Sequence, residues 1–192
     1  MWIVAVVLGV IALFVVLVVI IARSGMKDMA ERADVVSARG LLVADPKALF
    51  PFRATGTSEG VALEVVTADR KALSGGRVAT STITRVRGTA QWPCGVTVVH
   101  GKCALPVSGG LREIATGDAD FDAAAKTFVG GDEQHESWLD AEARALILGF
   151  GGGFLELNLA GGEVSLDVEG VVCDRANLDA MLDLVVAVCR AR

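Results

Sequence analysis

The sequence predicts an α+β fold: an N-terminal transmembrane helix followed by a soluble domain with mainly antiparallel sheet, closed by a β-hairpin and a packed terminal helix. Three observations predict it. Residues 1–22, MWIVAVVLGVIALFVVLVVIIA, carry no ionisable side chain. Residues 53–101 break into short β-branched segments separated by glycine, and from residue 154 onward strict alternation gives way to helical spacing.

The elements follow in chain order. At about 1.5 Å per residue, a helix over 1–22 matches a hydrocarbon core roughly 30 Å thick, and the run lacks the charged start and small-residue cleavage site of a signal peptide. Arg23 and Lys27 follow the run and no basic side chain precedes it, so the positive-inside rule places the remainder in the cytoplasm. Residues 23–38 read as a juxtamembrane stalk of mixed charge, helical or irregular. DPKALFPF at 45–52 interrupts any periodicity, since each proline removes an amide donor and restricts the residue before it. The soluble domain is accordingly assigned to 39–192.

Strand-like segments begin at Arg53, Val61, Arg77 and Gly95. In the third, Val78, Thr80, Thr82, Thr84 and Val86 share one parity while Arg77, Arg85 and Arg87 share the other, the pattern of a sheet with one wet face. A short helix is expected over 121–127 and a longer one over 137–148, capped by Ser137, with Asp140 at the third position and Leu139, Ala143, Leu146 and Ile147 as its apolar stripe. GFGGG at 149–153 should end it. FLELNLAGGEVSLDVEG then reads as a hairpin, with Leu155, Leu157 and Leu159 facing Val164, Leu166 and Val168. Residues 177–192 place Leu178, Met181, Leu182, Val185, Val188 and Cys189 on one helical stripe that should lie on the sheet.

Charge excludes one class of partner. Residues 1–112 hold 13 basic and 7 acidic side chains, a net of +6, whereas 113–192 hold 5 basic and 16 acidic, a net of −11. An acidic second half disfavours nucleic acid, and Arg85 and Arg87 lack the aromatic neighbours of a base-stacking sheet. The four cysteines, Cys94, Cys103, Cys173 and Cys189, repeat no spacing and fit reduced thiols; Cys94 with Cys103 is the first pair to suspect if the domain faces outward.

The stretch most like an active site is TGDADFD at 116–122, with Asp118, Asp120 and Asp122 at alternate positions. A calcium loop starting at Asp118 would need glycine sixth and glutamate twelfth, but Ala123 and Val129 stand there. Capping of a helix by Asp118 or Asp120, with Asp122 in its first turn, explains the same residues. Cys94, His100 and Cys103 match no zinc spacing, and Cys103 with His100 three residues away is poorly placed as a nucleophile and base on a strand. His135 sits in a charged segment. GFGGGF from Gly149 follows a helix and has Phe154 where a dinucleotide fingerprint needs its third glycine, so no nucleotide is expected. Trp92, before Pro93, suits either a packed strand end or an exposed partner contact.

TRVRG at 84–88, TGDADFD at 116–122, the leucine-rich helix end at 139–148 and the strand pair at 154–168 together resemble a loose group of bacterial single-pass membrane proteins with an uncharacterised C-terminal soluble α+β domain. The resemblance spans roughly 50–190 and implies architecture without an activity. The function reached is a membrane-tethered, non-enzymatic module that binds a protein partner or supports an envelope-associated assembly, in contact with the lipid bilayer through residues 1–22. The alternative is a membrane-anchored hydrolase or metal-dependent enzyme using the 118–122 carboxylates. No catalytic, cofactor-binding or metal-ligating residue is assigned, and no cofactor is expected.

Overall fold

The computed structural model describes residues 2–45, 50–74, 77–90, 95–101, 111–130, 139–151 and 155–190, with backbone alone for 2–12, 21–22, 72–74 and 77–79. Along the chain come helix α1 (Trp2–Ala38) and strands β1 (Leu41–Val43), β2 (Arg53–Ser58), β3 (Val61–Ser74) and β4 (Arg77–Thr89). Strands β5 (Val96–His100) and β6 (Arg112–Ile114), helix α2 (Ala119–Ala124) and strand β7 (Ala125–Val129) follow, then α3 (Ala141–Gly149), β8 (Leu155–Ala160), β9 (Glu163–Glu169) and α4 (Arg175–Arg190).

Among the described residues all strands join one antiparallel sheet in the order β1-β2-β3-β4-β9-β8-β5-β7-β6. Its first four strands form a meander with Glu59-Gly60 as the two-residue turn between β2 and β3. Glu59 has φ of 50° and Gly60 of 84°, so the turn has the left-handed pair that matches strand twist, with a glutamate where asparagine or aspartate is usual. The predicted hairpin is present: Leu155, Leu157 and Leu159 pair with Val168, Leu166 and Val164 around Gly161-Gly162.

Strand parity divides the sheet chemically. Val86 pairs with Val65 and Leu166, and Gly88 with Leu63 and Val164; these side chains, with Leu157 and Leu159, face the helices and are buried. The opposite face carries a polar lattice running between strands. Arg85 clasps Asp167 through Nε at 2.5 Å and Nη2 at 2.6 Å, and Arg70 reaches Glu156 at 2.7 Å. Glu156 accepts from the Asn158 amide at 2.9 Å, whose own oxygen accepts from Thr97 Oγ1 at 2.7 Å. Glu64 bridges Arg53 and Arg87 at 2.7 and 3.4 Å.

The terminal helix lies across β4 and β9, burying Leu178, Met181, Leu182, Val185 and Val188. Its close approach depends on Gly88. A Cβ there would stand 2.6 Å from Cys189 Sγ and 2.8 Å from Val185 Cγ1, inside van der Waals contact. The end of α1 joins the same core: Val35, Val36 and Leu41 are buried, and Arg39 is paired to Asp179 and Asp183 of α4 at 3.0 and 2.7 Å.

The transmembrane expectation is overturned. Among the described residues no helix is long and apolar enough to cross a membrane. The α1 backbone is helical from Trp2, and on it the side chains of Leu13 to Ile20 are 44–71% exposed. With the anchor go bilayer contact through residues 1–22, the cytoplasmic placement of the rest, and the likeness to single-pass membrane proteins; the antiparallel α+β sheet remains.

Two local expectations also change. Residues 125–127 are strand, because Ala125, Thr127 and Val129 alternate inward against β5. Helix α3 starts later than its stripe suggested, and its cap is Asp140, whose carboxylate accepts from Ala143 N at 2.8 Å; Ser137 lies outside the described residues. The helix ends with Phe150 as its C-cap in extended backbone, so no left-handed glycine closes it.

The Gly88 contact is measurable. Gly88→Ala is expected to destabilise the fold by about 1–3 kcal/mol, the usual cost of overpacking. In a double-mutant cycle Cys189→Ala should recover part of that loss, with Val185 accounting for the rest. Equal denaturation midpoints for Gly88→Ala and the parent chain would show that α4 does not sit against β4 at this distance.

Candidate functional site

The 116–122 carboxylates are spent on backbone. Asp118 caps α2, accepting from Phe121 N at 3.1 Å, and also meets Arg144 Nε at 3.3 Å. Asp122 turns back to accept from Thr116 N at 2.9 and 3.1 Å, Thr116 Oγ1 at 2.8 Å and Gly117 N at 3.2 Å. Those donors hold the Asp122 carboxyl below the usual carboxylate range, the Thr116 amide contributing most. Asp120 is exposed. Asp118 and Asp122 thus brace opposite ends of one capping turn, and no group of three or more metal-ligating side chains occurs among the described residues. The metal-dependent alternative built on this cluster loses its ligands to the turn.

Other sequence candidates separate. His100 ends β5, paired with Leu155 and Ala125, and its Nδ1 is buried without a hydrogen-bond partner. Cys94, Cys103, His135, Trp92 and Phe154 lie outside the described residues. Cys173 and Cys189 are free thiols, and burial raises both, Cys189 to about 11, so neither is a thiolate nucleophile near neutral pH.

One buried cation was not foreseen. Arg32, only 1% exposed, stacks over the Phe52 ring at 4.2 Å, and among the described residues its Nε and Nη1 have no hydrogen-bond partner. Burial lowers its pKa, opposed by Cys173 and Asp28. It lines neither of the two described cavities.

The larger of those cavities, about 410 Å³, is an open groove between α3, α4 and the β2–β3 turn. Leu146, Val186 and Ala187 supply its apolar part; Glu59, Asp140, Glu142 and Asp183 with Arg190 supply the rest. On α4 the lining residues 183, 186, 187 and 190 fall at i, i+3, i+4 and i+7, a second stripe beside the core-facing one. Glu142 and Leu146 repeat the four-residue spacing on α3. Glu59 reaches Arg190 because its turn is left-handed there. The pair is half-exposed, 57% for Arg190 and 50% for Glu59, so it contributes little stability and its charges can be exchanged. Glu142 has no charged partner among the described residues. The acidic second half and the off-core positions of Asp183 and Arg190 were legible in the sequence; their meeting with Glu59, some 130 positions away, was not. The second cavity, about 330 Å³ beside Gly88 and Gly161-Gly162, has Arg87 between Glu64 and Glu163 and so carries a smaller acidic excess, one cation to two carboxylates.

Two changes test these assignments. A carboxyl whose folded pKa is depressed stabilises fully above the unfolded carboxylate range and loses that contribution as pH falls through the folded value. Asp122→Asn should therefore melt below the parent chain at pH 7, with the gap closing on titration into strong acid; a gap independent of pH would remove the ionised-cap assignment. Replacing Arg32 by Met should leave stability equal or raise it by up to about 2 kcal/mol, since a buried guanidinium with two nitrogens lacking hydrogen bonds among the described residues costs more than it returns. A lower urea midpoint for Arg32→Met would show that stacking on Phe52 outweighs the desolvation.

Compared with known proteins, the chain matches no family model, no curated protein and no solved structure.

Proposed function

We propose that this chain is a protein-binding module whose docking surface is the groove between α3 and α4. The observation that carries the reading is the lining of that groove: five of the eight described residues that line it are charged. Pockets for small organic ligands are mostly apolar with a few placed polar groups, and this groove inverts the proportion. A small apolar floor within a charged rim is the pattern of a protein contact, where a few anchors are desolvated and the rim stays wet. The rim is also built to be firm. Asp140 is fixed by the α3 cap and Asp183 by Arg39, so a partner meets charges already in place. Catalysis has less behind it: the described thiols are protonated, and Asp118 and Asp122 are engaged by backbone donors.

A photoreactive amino acid at Leu146 in the full chain should cross-link to a protein in the cells that express it, whereas one at exposed Thr55, on the other face of the sheet, should not. The cross-linked protein, identified by mass spectrometry and purified, should bind the parent chain and lose at least tenfold in affinity for an Ala187→Arg variant. Equal cross-linking from both positions, or binding indifferent to Ala187→Arg, would remove the groove as the docking surface.

A further inference from the structure

Resting on that reading, we infer that the partner presents a basic segment carrying apolar anchors, which seats its side chains on Leu146, Val186 and Ala187 while its cations meet the acidic rim. The charge count selects the sign. Among the described residues lining the groove, four carboxylates face one guanidinium, Arg190, which is already paired with Glu59. An acidic segment would meet repulsion from Asp140, Glu142 and Asp183; a neutral one would leave Glu142 without an ion partner.

Each carboxylate is available in a different degree. Asp140 gives Oδ1 to the α3 cap, leaving its second oxygen for a partner. Asp183 shares Arg39 with Asp179, and its side chain is 45% exposed. Glu59 can pass from Arg190 to an incoming lysine or arginine at little cost, because a half-exposed pair gains little from staying together. Glu142, exposed on the first turn of α3, has no ion pair among the described residues to give up. The apolar floor then fixes register: its three side chains can seat one or two anchors, so charge alone should bind weakly and anchors alone should bind weakly too.

Full-length chain is titrated against three fluorescent 15-residue peptides by anisotropy: lysine with leucine at helical i, i+4, i+7 spacing, the same peptide with glutamate for every lysine, and an all-lysine peptide. The lysine-leucine peptide should bind at least tenfold more tightly than either control. Glu142→Lys and Ala187→Arg, each checked for unchanged circular dichroism, should both reduce that affinity at least tenfold. Equal binding of the glutamate peptide, or lysine-leucine binding unmoved by both substitutions, overturns the inference. Cross-links from Leu146 that join two copies of this chain also overturn it, since a second copy would then be the occupant. If all peptides fail while Leu146 still cross-links to another protein, the basic partner is wrong and the docking surface stands; if both experiments fail, both readings fall.

Discussion

The pairing of β4 with β9 is the joint on which the molecule depends. Without it, β1 to β4 would be a meander and the remaining strands, ordered β9-β8-β5-β7-β6, a second sheet, each with an exposed edge. Seven consecutive pairs, from Ile83 with Glu169 to Thr89 with Glu163, weld the two into one sheet. Both faces of the joint are used. Toward the helices Val86 and Leu166 meet under α4; away from them Arg85 clasps a nearly buried Asp167 at two points. A charge pair so placed adds modest net stability, but a slip of one residue would put Arg85 into the apolar layer and Val86 among the carboxylates. The ion pair therefore acts mainly to specify register.

Register in turn places the groove. Gly88 sits at the helix-facing end of this joint and lets α4 lie close to β4; that depth sets where residues 183–190 stand relative to α3 and to the β2–β3 turn. Glu59 belongs to the first meander, Glu142 to the helix between β7 and β8, and Arg190 to the helix after β9. Their convergence is a product of the weld, and no local motif could have announced it.

Much of the fold was legible because its signals are local. Alternation at residues 77–88 and 154–168 gave strands, and the 177–192 stripe gave the terminal helix. Legibility failed where two readings share a composition. Ala125-Lys126-Thr127-Phe128-Val129 is short enough to suit a helix or a strand, and only pairing with β5 decides it. Asp140 was read inside the helix it in fact caps, because the apolar spacing at Leu139 continues across the boundary. The apolar run at the N-terminus misled most: its composition suited a membrane span, yet among the described residues no helix is long and apolar enough to cross a membrane. In the site, TGDADFD advertised carboxylates that fold onto their own turn, while Glu59, Glu142, Asp183 and Arg190 carried no mark beyond their charge.

The two ends of the sheet carry a consequence of their own. The outermost strands, β1 and β6, are three residues each. A lateral strand so short offers only one or two free amide or carbonyl groups to a passing chain, and β6 carries Arg112 and Glu113 on it, so stacking of neighbouring molecules edge to edge finds little template. A nine-stranded antiparallel sheet is a natural nucleus for fibrillar aggregation; with its two ends trimmed in this way, the longest open edge among the described residues belongs to the β3–β4 hairpin, which runs past Val66 and Ile83 beyond both neighbouring strands.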